Sequence, residues 1–153
     1  TWQDVGSSFL MSELAAALLY TQLRRSTELQ TRRLAAWQVY HDAFAPLEEE
    51  GLLMRPQTPI STGHNAHVYY LRFESLEARE KVRLGLRSAG IVASFHYIPL
   101  HSSPGGQRFG RVGSSMDVTD SVANRLLRIP LYADLSEDDQ ATVIATVKTL
   151  VSR

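Results

Sequence analysis

The chain has 153 residues, 44% hydrophobic and 21% charged, with a formal net charge of +0 and no cysteine. That is enough chain for one ordinary domain with its own core. The balance gives no general attraction to nucleic acid or anionic membrane, and the missing thiols exclude disulfides and thiolate metal sites, as a cytoplasmic protein would have it. No apolar run nears the roughly 20 residues that span a bilayer, and the polar opening Thr1-Trp2-Gln3-Asp4 does not read as a signal peptide, so none is expected.

Thr1 to Leu10 reads as an extended lead-in, with Ser12 as N-cap and Glu13 in the first turn of a helix. Leu14, Leu18, Leu19 and Leu23 recur at helical spacing, and the pattern resumes with Leu34, Trp37, Phe44 and Leu47. The polar stretch Arg24 to Glu28 between them predicts one long helix kinked near Ser26, or two in line. A straight helix over 12–45 is about 50 Å long, more than a small domain covers, so this region is expected to pack against something outside it. Arg24-Arg25 and Arg32-Arg33 read as a solvated helix face.

Beyond Pro46 and Gly51, Leu52 to Pro56 predicts a short strand and His67 to Phe73 the best strand, rich in aromatic and β-branched residues. Leu76 to Ala89 reads as an amphipathic helix with Leu76, Val82, Leu86 and Ala89 inward and Gly90 at C′. Ile91 to Tyr97 is the next expected strand, followed by a Gly/Ser-rich loop over 102–118. Asp120 to Leu127 reads as a short helix and Arg128 to Tyr132 as a strand. Ser136 caps a last helix with Val143, Ile144, Val147 and Leu150 inward, since Ser136 to Asp139 follows the S-x-x-[DE] pattern. Helices alternating with short strands predict a small α/β layer over 51–153 behind the lead-in and long helix of 1–50, together a single domain.

Chemistry concentrates in Phe95-His96-Tyr97-Ile98-Pro99-Leu100-His101, where an apolar strand runs out into a loop. Pro99 fixes its own φ and lacks a donor, so pairing must stop there. Tyr97 and His101 are therefore candidates to project into a pocket. Asn65 before His67 predicts an Asx turn. The pairs His64/His67 and His96/His101 raise the thought of zinc, but none sits at i,i+4 on a helix and no carboxylate stands at ligand spacing, so no metal site is expected. Gly6-Ser7-Ser8 before a helix is a possible anion cradle. The lysines are only Lys81 and Lys148, both in helix-surface contexts.

Four segments together resemble the pyridoxal-phosphate sugar aminotransferases of DegT, DnrJ, EryC1 and StrS type. They are Asp4 to Glu13, Asn65 to Tyr70, Phe95 to His101 and Leu126 to Leu131, in the family's order and spacing and covering nearly the whole chain. The resemblance implies the small C-terminal domain of a fold-type I enzyme, α/β (α+β), with a long first helix and a small, mainly antiparallel sheet covered by helices. It implies pyridoxal 5′-phosphate in the full-length enzyme, glutamate as amino donor, a dTDP-4-keto-6-deoxyhexose acceptor, and a homodimer with shared active sites. His96, Tyr97 and His101 would line the nucleotide-sugar side. Ser8 would reach the cofactor phosphate of the neighbouring subunit from a place where most of the family has asparagine, in Gly-Tyr-Asn-Tyr-Arg-Met instead of Gly6 to Met11. The family's Schiff-base lysine lies upstream of the segment matching Thr1, so neither Lys81 nor Lys148 corresponds to it and no catalytic residue is expected within this chain. The resemblance thus implies the C-terminal portion of a larger enzyme, partnered by its own cofactor domain and inactive alone. A non-catalytic module that binds a nucleotide sugar or a partner protein is the alternative.

Overall fold

The computed structural model describes residues 9–59 and 62–152. Ser8, with Gly6 and Ser7, lies outside the described residues. Ser12 caps α1 (Glu13–Arg24) by accepting from the Ala15 N–H at 3.3 Å. One residue, Arg25, breaks the helix with φ −99° and ψ 4° before α2 (Ser26–Ala43) continues. Arg25 then clamps the first turn of α2 through two bonds to the Glu28 carboxylate, at 3.0 and 3.1 Å. The kink expected near Ser26 is thus a one-residue interruption at Arg25. Pro46 starts the short α3 (Ala45–Glu49) at a position where a missing N–H costs nothing.

The sheet is small and antiparallel, in the order β1-β3-β2, built from β1 (Tyr69–Arg72), β2 (Ser94–Phe95) and β3 (Leu126–Ile129). Tyr69 pairs with Ile129 and Leu71 with Leu127, which puts these four on one buried face. Tyr70, Arg72, Leu126 and Arg128 alternate onto the other. The core joins Trp37, Tyr40 and Phe44 of α2 to that buried face. It continues through Val82 and Leu86 of α4 (Leu76–Ser88) and Val143 and Val147 of α7 (Glu137–Val151). Gln140 ties α7 to α2 by donating to the Ala36 carbonyl at 2.6 Å.

Several elements are shorter than the sequence pattern predicts. Leu52 to Pro56 makes only the bridge Met54–Arg72, because the Arg55 N–H is spent on the Glu48 carboxylate at 2.8 Å. The strand expected over 91–97 shrinks to Ser94–Phe95. Its first residue closes a Schellman motif at the end of α4: the Ile91 N–H bonds the Leu86 carbonyl at 2.9 Å and the Gly90 N–H that of Arg87 at 3.0 Å, with Gly90 at φ 77°. The strand expected over 128–132 sits at 126–129, stopped by Pro130, which cannot donate to the ladder. The stretch expected as loop over 102–118 holds the end of a 3-10 turn, Leu100–Ser102, and α5 (Pro104–Phe109), capped by Ser103. α6 spans Asp117–Arg125. On α4, Leu76 and Ala89 face solvent, while Arg79 goes inward at 7% exposure.

Candidate functional site

The 95–101 segment leaves the short edge strand β2 and crosses toward α6. His96 and Tyr97 are exposed, Tyr97 at 70% of its surface, with their rings edge to face at 4.8 Å. The Arg128 guanidinium stacks over the Tyr97 ring 5.5 Å from its centroid and donates to the Phe95 carbonyl at 3.4 Å. Behind Phe95 lies Arg79, whose guanidinium sits 5.4 Å from the Phe95 ring centroid and whose Nε donates to the Asn124 carbonyl at 3.1 Å. Arg79 Nη1 is also 2.8 Å from the Glu80 carboxylate, an ion-pair contact off hydrogen-bonding angle. Arg83 holds the same carboxylate at 2.6 Å. The Arg83 hydrogen bonds and the Arg79 charge outweigh Glu80's partial burial and keep its carboxyl below its usual range.

His101 differs from its two neighbours. Its Nε2 lies 3.0 and 3.2 Å from the two oxygens of Asp120 on α6, and its Nδ1 is sealed from solvent without a partner. Only 15% of its side chain is exposed. Tyr97 and Asp120 share a groove of about 720 Å³ with Arg79, Arg83, Pro99 and Ser102. His101 lines a different cleft, with Leu100, Gly105, Phe109 and Met116. His96 and Tyr97 are therefore free to meet a ligand, whereas His101 is tied to the protein.

Of the other histidines, His41 and His64 are engaged structurally, while the His67 side chain is exposed. The Asn65 side chain accepts from the His67 N–H at 3.1 Å, the expected Asx turn, and His64 Nδ1 accepts from the N–H of Ala66 at 3.2 Å. His64 and His41 flank the Trp37 indole, each with ring centroids 4.5 Å away. No three His, Asp or Glu side chains converge on a cation site among the described residues. Of the predicted solvated arginines, Arg25 and Arg32 make exposed ion pairs to Glu28 and Asp134, while Arg33 is half-buried against Gln30.

A pyridoxal phosphate needs a lysine for its aldehyde and donors for its phosphate. Lys148 is exposed on α7, and exposed Lys81 borders a cleft of only about 130 Å³ whose polar neighbour is Glu74. A carboxylate repels a phosphate, so the described residues do not fit as an anchor for the cofactor.

Sequence reasoning missed Arg79, Asp120 and Arg128. Their signal was present in part: Arg128 stands between the apolar Leu127 and Ile129, and strand alternation puts it on the opposite face from them.

The family model described as the DegT/DnrJ/EryC1/StrS aminotransferase family matches residues 1–148. The chain belongs to this family. Among its relatives, the dTDP-3-amino-3,4,6-trideoxy-alpha-D-glucose transaminase of Micromonospora megalomicea subsp. nigra is 28% identical over 149 residues, 96% of this chain. DesV of S. venezuelae, solved in complex with a ketimine intermediate, superposes over 94% of this chain and 37% of its own, with a TM-score of 0.82 and 27% identity. Spr1654 of Streptococcus pneumoniae in its PLP form gives a TM-score of 0.77 at 27% identity, over 93% of this chain and 36% of its own. The chain spans only 39% of the length of the Micromonospora relative. No helix among the described residues is long and apolar enough to cross a membrane.

Proposed function

We propose that this chain is the C-terminal portion of a cytoplasmic, pyridoxal-phosphate-dependent sugar-nucleotide aminotransferase, and that it forms the wall that closes on the sugar nucleotide. The reaction moves an amino group from glutamate to a dTDP-4-keto-6-deoxyhexose. The Gly6-Ser7-Ser8-Phe9-Leu10-Met11-Ser12 variant of the family segment, similar to that of dTDP-4-amino-4,6-dideoxygalactose transaminase, favours a role in surface polysaccharide of the enterobacterial common antigen kind. The observation that carries the reading is the 95–101 segment: it coincides with a family motif and presents His96 and Tyr97 to solvent at the sheet edge.

When bound, pyridoxal phosphate supplies the electron sink for amino transfer. This chain's share is recognition. The Tyr97 hydroxyl and the His96 imidazole hydrogen-bond the hydroxyls or the diphosphate of the sugar nucleotide. His101, the third residue of that wall, holds the turn behind them against α6. Ser8 reaches the cofactor phosphate across a homodimer interface. α1, which buries no residue of its own, packs on the cofactor domain and the second subunit.

The test is amination by the full-length protein with glutamate, pyridoxal phosphate and a dTDP-4-keto-6-deoxyhexose, followed by mass spectrometry of the nucleotide sugar. A 4-amino product is expected, with KM raised by Tyr97→Phe. The isolated chain mixed with pyridoxal phosphate is expected to show no saturable aldimine absorbance. Failure to aminate any nucleotide keto sugar, with tight sugar-nucleotide binding retained, overturns the reading in favour of a non-catalytic binding module.

A further inference from the structure

Arg128 differs from Arg33, Arg72 and Arg125, the other part-buried arginines without an ion pair among the described residues, in lying over an aromatic ring beside an open cleft. Arg55, Arg79 and Arg83 each have a carboxylate within 3 Å. Among the described residues, none lies within ion-pairing distance of Arg128. Its Nε is sealed from solvent and has no partner, and its only hydrogen bond is the 3.4 Å contact to the Phe95 carbonyl. A partly desolvated charge without a counter-ion is unfavourable, and stacking on one aromatic ring offsets only part of it. The planar fork is nonetheless held in place between that carbonyl and the Tyr97 ring. It lies on the face of the sheet away from the core, with Tyr70 opposite it on β1 and Ser94 on β2. Beside it opens a cleft of about 180 Å³ lined with His67, Val68, Val92 and Ser94. No carboxylate lines that cleft, and its volume is several times the roughly 30 Å³ share of one water molecule.

We propose that Arg128 is the centre of an oxyanion subsite on the open face of the sheet, gripping a phosphate or carboxylate group with its guanidinium fork, with Ser94 and Tyr97 at the rim. A guanidinium matches the two oxygens of such a group bidentately, and pinning it beforehand reduces the ordering cost of binding. The same chemistry has two sources, the diphosphate of a nucleotide and the carboxylate of an amino acid. The choice of these two sources rests on the aminotransferase reading, whereas the subsite itself uses only residues of this chain and is tested by inorganic pyrophosphate whether or not that reading holds.

The test is calorimetric titration of the 153-residue chain at low ionic strength with inorganic pyrophosphate, with dTDP and with L-glutamate. Saturable binding is expected, weakened about tenfold or more by Arg128→Met and less by Arg128→Lys, which keeps the charge but not the fork. Arg87→Met, an exposed arginine on α4, is expected to bind as the parent does. Binding of pyrophosphate and dTDP alone identifies a diphosphate source, and binding of glutamate alone a carboxylate source. Circular dichroism establishes that each variant folds; if Arg128→Met does not, Arg128→Lys decides. No saturable binding of any probe, or the parent affinity in the deciding variant, overturns the subsite.

Discussion

The imidazole of His101 and the carboxylate of Asp120, nineteen residues apart, meet at 3.0 Å and join the 3-10 turn after Pro99 to helix α6. The Ser102 and Ser103 N–H groups both donate to the Pro99 carbonyl at 3.2 Å, so the turn that presents Tyr97 is knotted on one side and latched on the other. Asp120 is half exposed, which keeps the pair's contribution below about 1 kcal/mol. Asp120→Ala is therefore expected to lower global stability little and to raise amide exchange at Ser102 and Ser103 well above that in β1. Unchanged exchange there contradicts the latch.

Gly106 in α5 lies against the Leu100 carbonyl, and a Cβ added at that position falls on the oxygen itself. Gly106→Ala is expected to push α5 off the 3-10 turn and to cost about 1–3 kcal/mol, as overpacking does. Gly113, which has open space around it, provides the control: Gly113→Ala is expected to leave the melting temperature within about 2 °C.

His41 stacks on Trp37 with rings 19° apart, and its Nδ1 is buried without a partner. Burial, and then the Arg55 charge, lower its pKa from the ordinary 6.5, against smaller opposite effects of Asp42 and Glu48. A depressed histidine pKa means that the unfolded chain binds the proton more readily. Its contribution is complete above pH 6.5 and is lost as pH falls from there through the folded-state pKa. Denaturant titrations are expected to show stability declining below pH 6.5, and His41→Phe, which keeps the stack, to flatten that decline. Glu48 acts in a separate window. Burial raises its pKa, but hydrogen bonds from the Arg55 backbone and side chain lower it more, so its contribution is lost only as pH falls below 4.5.

Leu86 is fully buried between α4, β3 and α7. Leu86→Ala leaves a cavity and is expected to cost about 2–5 kcal/mol. Leu76, on the same helix but 40% exposed, is expected to cost under about 1 kcal/mol as alanine. Equal losses at both positions contradict this assignment of the buried face.

Much of the fold was legible because its signals are local. Ser12 and Ser136 each bond an N–H three residues on in the sequence, and Gly90 relaxes a left-handed turn that a side chain disfavours. Such effects act within one helical turn and can be read without knowing the fold. The 95–101 segment was equally legible, because a proline after an apolar run stops pairing wherever the strand lies. The resemblance to the family was carried by four short motifs, which are sequence in the strict sense, and the family model then matched residues 1–148. Tertiary structure alone decided which residues of those motifs are free. His96, Tyr97 and His101 are alike as a sequence, yet Asp120 captures only His101, because α6 returns to that point in space. Arg79 and Arg128 look like any helix or strand arginine until Phe95 and Tyr97 settle against them. Long-range contacts of this kind depend on how the elements dock, and no period or cap in the chain encodes them.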